Sequence, residues 1–67
     1  MNRIAKHRER LGISQRKLAN DLGVSSATVA MWETGRRTPS LKTANLIARY
    51  FNTTIESIFF NEKDNDK

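Results

Sequence analysis

Short apolar stripes at helical spacing run along the 67-residue chain, each bracketed by a residue that can cap a helix and one that can stop it. Ile4, Arg8 and Leu11 share one face of a first helix, predicted over residues 3–11, with Asn2 as its N-cap and Gly12 as a left-handed stop. Ser14 caps a second helix over residues 15–22, with Leu18, Ala19 and Leu22 as its buried stripe and Gly23 at its end. Ser25 caps a third, reaching to about Thr34, in which Val29 and Trp32 face inward and which Gly35 closes. Pro39 breaks the chain. Ser40 then caps a fourth helix over residues 41–51, with Ala44, Ile47 and Phe51 inward, Leu46 and Tyr50 on the flanks and Asn52 able to take the left-handed conformation at its end. Thr54 caps a short fifth helix carrying Ile55, Ile58 and Phe59. Nothing in the body alternates with period two, so the fold class is all-α with five helices; Ile58, Phe59 and Phe60 could form a short strand instead.

The second and third helices are separated by so few residues that they must cross steeply through a tight turn. Ala19 is small where the third helix passes over the second. Gly23 sits in the turn, where a left-handed backbone costs a residue with a Cβ about 1 kcal/mol or more. Val24 can fold back on the core, and Val29 and Trp32 drop into it from the third helix. Gln15 stands at the start of the second helix, where its side chain and the backbone N–H groups can meet a phosphate.

Composition narrows the class. A chain this short forms one domain and buries about 60% of the surface its unfolded form exposes. Without Cys it has no disulfide and no thiolate metal site, and a single His, His7, cannot make a zinc site, so no metal and no cofactor are expected. No apolar run approaches a membrane span, and the basic N-terminus lacks the apolar stretch of a secretory signal, so the expected location is the cytoplasm, or the bacterial nucleoid if the chain binds DNA. Residues 1–51 hold ten Lys/Arg against three Asp/Glu, giving +7, and residues 52–67 hold two against four, giving −2. Residues 1–60 thus read as one basic domain and 61–67, without an apolar residue, as a disordered polar tail. The basic body suits nucleic acid or is a solvated surface kept for solubility.

The residues Ser14-Gln15, Leu18-Ala19, Leu22 to Ser25, Thr28-Val29, Trp32-Glu33, Gly35, Pro39 to Leu41 and Thr54 to Ile58, in this order and spacing, resemble the phage-repressor/Cro-like (XRE-type) helix-turn-helix domains of bacteria and their phages, over residues 3–59. The resemblance implies a DNA-binding domain whose third helix lies in the major groove of double-stranded DNA. The positions that match its base-reading sites are Ser26, Ala27 and Met31, with Ala30 on the same outward face and Thr28 near its edge as further base-reading candidates, and phosphate contacts are expected from Gln15, Arg16, Ser25, Arg36, Arg37, Thr38, Ser40 and Lys42. Where relatives carry Gln, Arg or Asn, this reading face offers hydroxyls and apolar groups. It therefore either reads thymine methyls, water and DNA shape or discriminates less among sequences. The resemblance also implies an ion pair, Arg8 with Glu33, partly buried and holding the third helix against the first.

Three features are read conservatively. His7 falls on a polar face and is expected to be solvated. Trp32 belongs to the core rather than to a stacking platform. Phe59 and Phe60 are adjacent, so one helix cannot bury both and one should face a partner. In the resembling family dimers meet near the fourth and fifth helices, which here assigns the interface to Ile55, Ile58, Phe59 and Phe60 as exposed apolar area, with a strand after Phe60 as a variant. The expected function is a sequence-specific transcriptional regulator bound to a pseudo-palindromic operator as a homodimer and repressing by occlusion, with no small-molecule effector and no catalytic constellation. The alternative is an antitoxin or protein-interaction module on the same fold.

Overall fold

The computed structural model describes residues 2–60. Five helices follow one another: α1 (Ile4–Arg10), α2 (Gln15–Leu22), α3 (Ser26–Glu33), α4 (Leu41–Tyr50) and α5 (Ile55–Phe59). There is no strand among the described residues, and Ile58 and Phe59 are helical. The segment read as a disordered tail lies outside the described residues.

Each helix from α2 to α5 begins the same way. The hydroxyls of Ser14, Ser25, Ser40 and Thr54 accept the backbone N–H groups of Lys17, Thr28, Thr43 and Ser57 at 3.0–3.2 Å. Each cap satisfies one of the donors that a helix start leaves without a partner, a contribution of about 1 kcal/mol. Helix α1 starts differently. Arg3 occupies the cap position, but it is the Asn2 side chain that accepts the Ile4 N–H, at 2.9 Å, while its own amide donates to the Trp32 carbonyl, also at 2.9 Å.

The four longer helices share one kind of ending. Gly12, Gly23, Gly35 and Asn52 all have positive φ. After α2, the Gly23 N–H reaches the Asn20 carbonyl and the Val24 N–H reaches that of Ala19; the same pair of bonds closes α1, α3 and α4. This is the Schellman arrangement, in which the left-handed residue folds the chain back over the carbonyls it has just released.

The core gathers Ile4, Leu18, Ala19, Val29, Trp32, Ile47, Ala48 and Ile58, with Leu22, Val24, Tyr50, Phe51 and Ile55 among the side chains packed against it. Its members come from all five helices, and a hydrogen bond from the Arg3 N–H to the Ile58 carbonyl, 3.0 Å, pins the start of α1 to α5.

Helix α1 ends a residue earlier than predicted, and one expectation for its side chains is corrected. Leu11 is 56% exposed, because the helix ends at Arg10 and Gly12 turns the chain before the row reaches the core. His7 is not solvated: it is 8% exposed and stacks on Phe51, ring centroids 5.4 Å apart, one turn along from Ile4 on the buried side.

Candidate nucleic-acid interface

Helices α2 and α3 form the most extensive helix pair in the molecule, joined by the turn through Gly23 and Val24. Ala19, 1% exposed, lets α3 approach closely. With Val29 and Trp32 buried, the rest of α3 is turned outward to differing degrees. Ser26 and Ala27 are exposed, while Thr28, Ala30 and Met31 are half-buried. None of these side chains is charged, so the surface of α3 is a neutral strip of hydroxyl and aliphatic groups.

Cations flank that strip in sequence. Arg16 is exposed in the first turn of α2. Arg36 and Arg37 are exposed just past α3, their backbone N–H groups both held by the Met31 carbonyl at 2.9 and 3.2 Å. Thr38, Ser40 and Lys42 continue the exposed run into α4. Two of the assigned hydroxyls have other work: Ser25 Oγ lies 3.0 Å from Thr28 Oγ1 while capping α3, and Ser40 Oγ donates to Thr43 Oγ1 while capping α4.

The Arg8–Glu33 pair is present. Arg8 Nε and Nη2 donate to the two Glu33 oxygens at 2.7 and 3.2 Å, the bidentate geometry that a guanidinium and a carboxylate favour. The side chains are 14% and 7% exposed. The Glu33 hydrogen bond keeps the Arg8 guanidinium above its ordinary pKa, and Arg8 Nη1 also donates to the Ile13 carbonyl at 2.9 Å. The Gln15 side chain, assigned to phosphate, donates to Glu33 Oε1 at 3.0 Å.

Sequence reading missed a second link between elements. The Tyr50 hydroxyl donates to Asp21 Oδ2 at 2.5 Å and Lys17 Nζ lies 3.3 Å from Asp21 Oδ1, tying α4 to α2. The Tyr50 hydrogen bond, aided by Lys17, pulls the Asp21 pKa below its ordinary value, and the Asp21 carboxylate pushes that of Tyr50 up.

The residues assigned to a dimer interface divide. Phe60 is 64% exposed and Ile55 and Phe59 are half-buried, but Ile58 is 1% exposed and belongs to the core, so the expectation that it supplies exposed apolar area is corrected. The helical register of α5 turns Ile58 inward, where its carbonyl is also the anchor for Arg3. Beside α5 lies an open groove of about 490 Å³ whose walls include Pro39, Leu41, Ala44, Ile55, Phe59 and Phe60. No helix among the described residues is long and apolar enough to cross a membrane.

Comparison with known proteins agrees with this architecture. The helix-turn-helix family model matches residues 4–58. A protein of Archaeoglobus fulgidus named as an uncharacterized HTH-type transcriptional regulator is 43% identical over 63 residues, covering 92% of this chain and 89% of its own. Similarly named proteins of Methanocaldococcus jannaschii and Bacillus subtilis are 41% and 39% identical, each covering at least 94% of this chain and 96% of its own. With its two crossed helices, its matched span and relatives of its own length, the chain belongs to the Cro/C1-type (XRE) helix-turn-helix family.

Proposed function

We propose that the protein regulates transcription by binding a double-stranded operator with α3 in the major groove. The observation that carries this is the placement of an exposed, uncharged α3 surface between basic residues at the start of α2 and after α3, on a scaffold locked by the Arg8–Glu33 pair. Ser26, Ala27, Thr28, Ala30 and Met31 read the bases through hydroxyl and methyl contacts, water and local DNA shape. Gln15, Arg16, Ser25, Arg36, Arg37, Thr38, Ser40 and Lys42 hold phosphates and set the register. The protein acts where the chromosome is, in the cytoplasm.

Two copies bind a pseudo-palindrome, half-sites about one helical turn apart, meeting through Ile55, Phe59 and Phe60 and the groove beside them. The outcome is repression by occlusion of the promoter. Asp21, the acid of α2, is occupied by Tyr50 and Lys17, which leaves that helix without a free acidic surface for touching polymerase.

Selection of bound duplexes from a random pool, followed by titration at several salt concentrations, tests the reading. Affinity falls steeply as salt rises, and Arg36→Ala weakens binding to every sequence and reduces the log–log salt slope by about one. Met31→Ala changes which sequences are preferred. A protein that selects no duplex, or that binds identically with either substitution, does not dock in this way.

A further inference from the structure

We infer that Glu33 is a positioning residue for phosphate binding: its carboxylate, clamped by Arg8, fixes the Gln15 carboxamide and so ties the grip on the DNA backbone to the end of α3. The inference rests on the DNA-binding reading above and specifies how its site is held together.

The side chains form a closed ring. Gln15 Nε2 donates to Glu33 Oε1 at 3.0 Å; Arg8 Nε and Nη2 hold the same carboxylate at 2.7 and 3.2 Å; Arg8 Nη1 donates to the Ile13 carbonyl at 2.9 Å. The backbone from Ile13 to Gln15 completes the circuit. Both the chain that delivers Gln15 and the side chain itself are thereby fixed to the last residue of α3. A carboxamide has two N–H donors, and only one is spent on Glu33, so the other is left at a set angle for a phosphate oxygen. Arg8 has a second task here. An unpaired Glu33 carboxylate beside a phosphate would repel it, and the guanidinium cancels that charge. Gripping the backbone at Gln15 then sets where α3 lies in the groove, because the two are one rigid unit rather than two groups on separate helices.

The experiment is a thermodynamic cycle on a duplex selected from a random pool by the unmodified protein. Gln15→Met removes the amide at similar size. Arg8→Met with Glu33→Leu replaces the pair by apolar groups and strands no charge, a change that buried pairs tolerate. Gln15→Met in the native background weakens binding about tenfold, as losing one hydrogen bond to a charged group does. In the Arg8→Met, Glu33→Leu background the same substitution costs less than about threefold, because the amide there is already unfixed. Losses that multiply independently overturn the inference. Unfolding midpoints by circular dichroism confirm that each variant is folded at the binding temperature. Should the double variant not fold, ¹⁵N relaxation of the Gln15 side-chain amide in the unmodified, unbound protein decides. An order parameter near that of rigid backbone, about 0.85, supports the ring, and one below about 0.6 overturns it. A pool that yields no bound duplex overturns the DNA-binding reading instead.

Discussion

Gly23 shows how a single residue's backbone can matter where its surroundings do not. Its φ is +76°, and a Cβ added there meets nothing within 4 Å. Substitution therefore carries a conformational cost with no clash to compound it. Gly23→Ala is expected to lower stability by about 1 kcal/mol in urea unfolding, and Gly23→Asn by less, since Asn enters the left-handed region more readily. A loss of several kcal/mol would mean that the turn is packed against something. His7 is the opposite case, a side chain whose surroundings decide everything. Burial, then the charges of Arg10 and Arg3, lowers its pKa from the ordinary 6.5, and its Nε2 has no hydrogen-bond partner among the described residues. In the unfolded chain it keeps the ordinary value, so between the two values the unfolded state holds a proton that the folded state does not. The stability that depends on neutral His7 is whole above pH 6.5 and is lost as pH falls from there through the lowered folded value. Because this is the one His of the chain, NMR titration of its ring gives the folded pKa directly. His7→Phe keeps the stack on Phe51 and flattens this part of the pH profile relative to the native protein; profiles of equal slope would contradict the assignment.

At the scale of elements, the helix starts and stops were readable in advance because they are local. A Ser or Thr three residues before the N–H it caps, and a Gly or Asn at the end, carry their own geometry. All four hydroxyl caps and all four left-handed stops stand where the pattern places them. The helix ends shift by a residue or so, as at Arg10 and Tyr50. What escaped the pattern depends on residues far apart in the chain. Neither Gln15 with Glu33 nor Tyr50 with Asp21 has a spacing that announces it. Nothing local marks His7 as buried; an aromatic ring from the α4 end, laid over it, makes it so. The Tyr50–Asp21 link has a clean readout, since the chain has one Tyr. Absorbance titration of the phenol is expected to give a midpoint above the ordinary 10.0, and Asp21→Asn to return it toward that value. A midpoint unmoved by Asp21→Asn would show that the hydrogen bond does not persist in solution.

At the scale of the molecule, the apolar residues near the C-terminal end serve two ends. Ile58 holds the monomer together and Phe60 does not. Ile58→Glu is expected to unfold the chain by burying an unpaired charge. Phe60→Glu is expected to leave the fold intact and to weaken the proposed pairing, read as a lower average mass than the native chain by sedimentation equilibrium across a range of concentrations. If Phe60→Glu changes nothing at any concentration, the proposed contact lies elsewhere. Sequence placed these residues together but could not separate them, because the row of α5 that turns inward is settled only when α1 docks against it. The same holds for the proposed reading surface. Which α3 residues point outward followed from the burial of Val29 and Trp32, whereas how that helix is braced required three side chains from three helices to meet.

The Asn2 amide has a kinetic consequence. One planar group serves the first N–H of α1 and the last-turn carbonyl of α3, so each terminus helps to hold the amide in place for the other. Exchange protection at the start of α1 and at the end of α3 is therefore expected to fall together in Asn2→Ala.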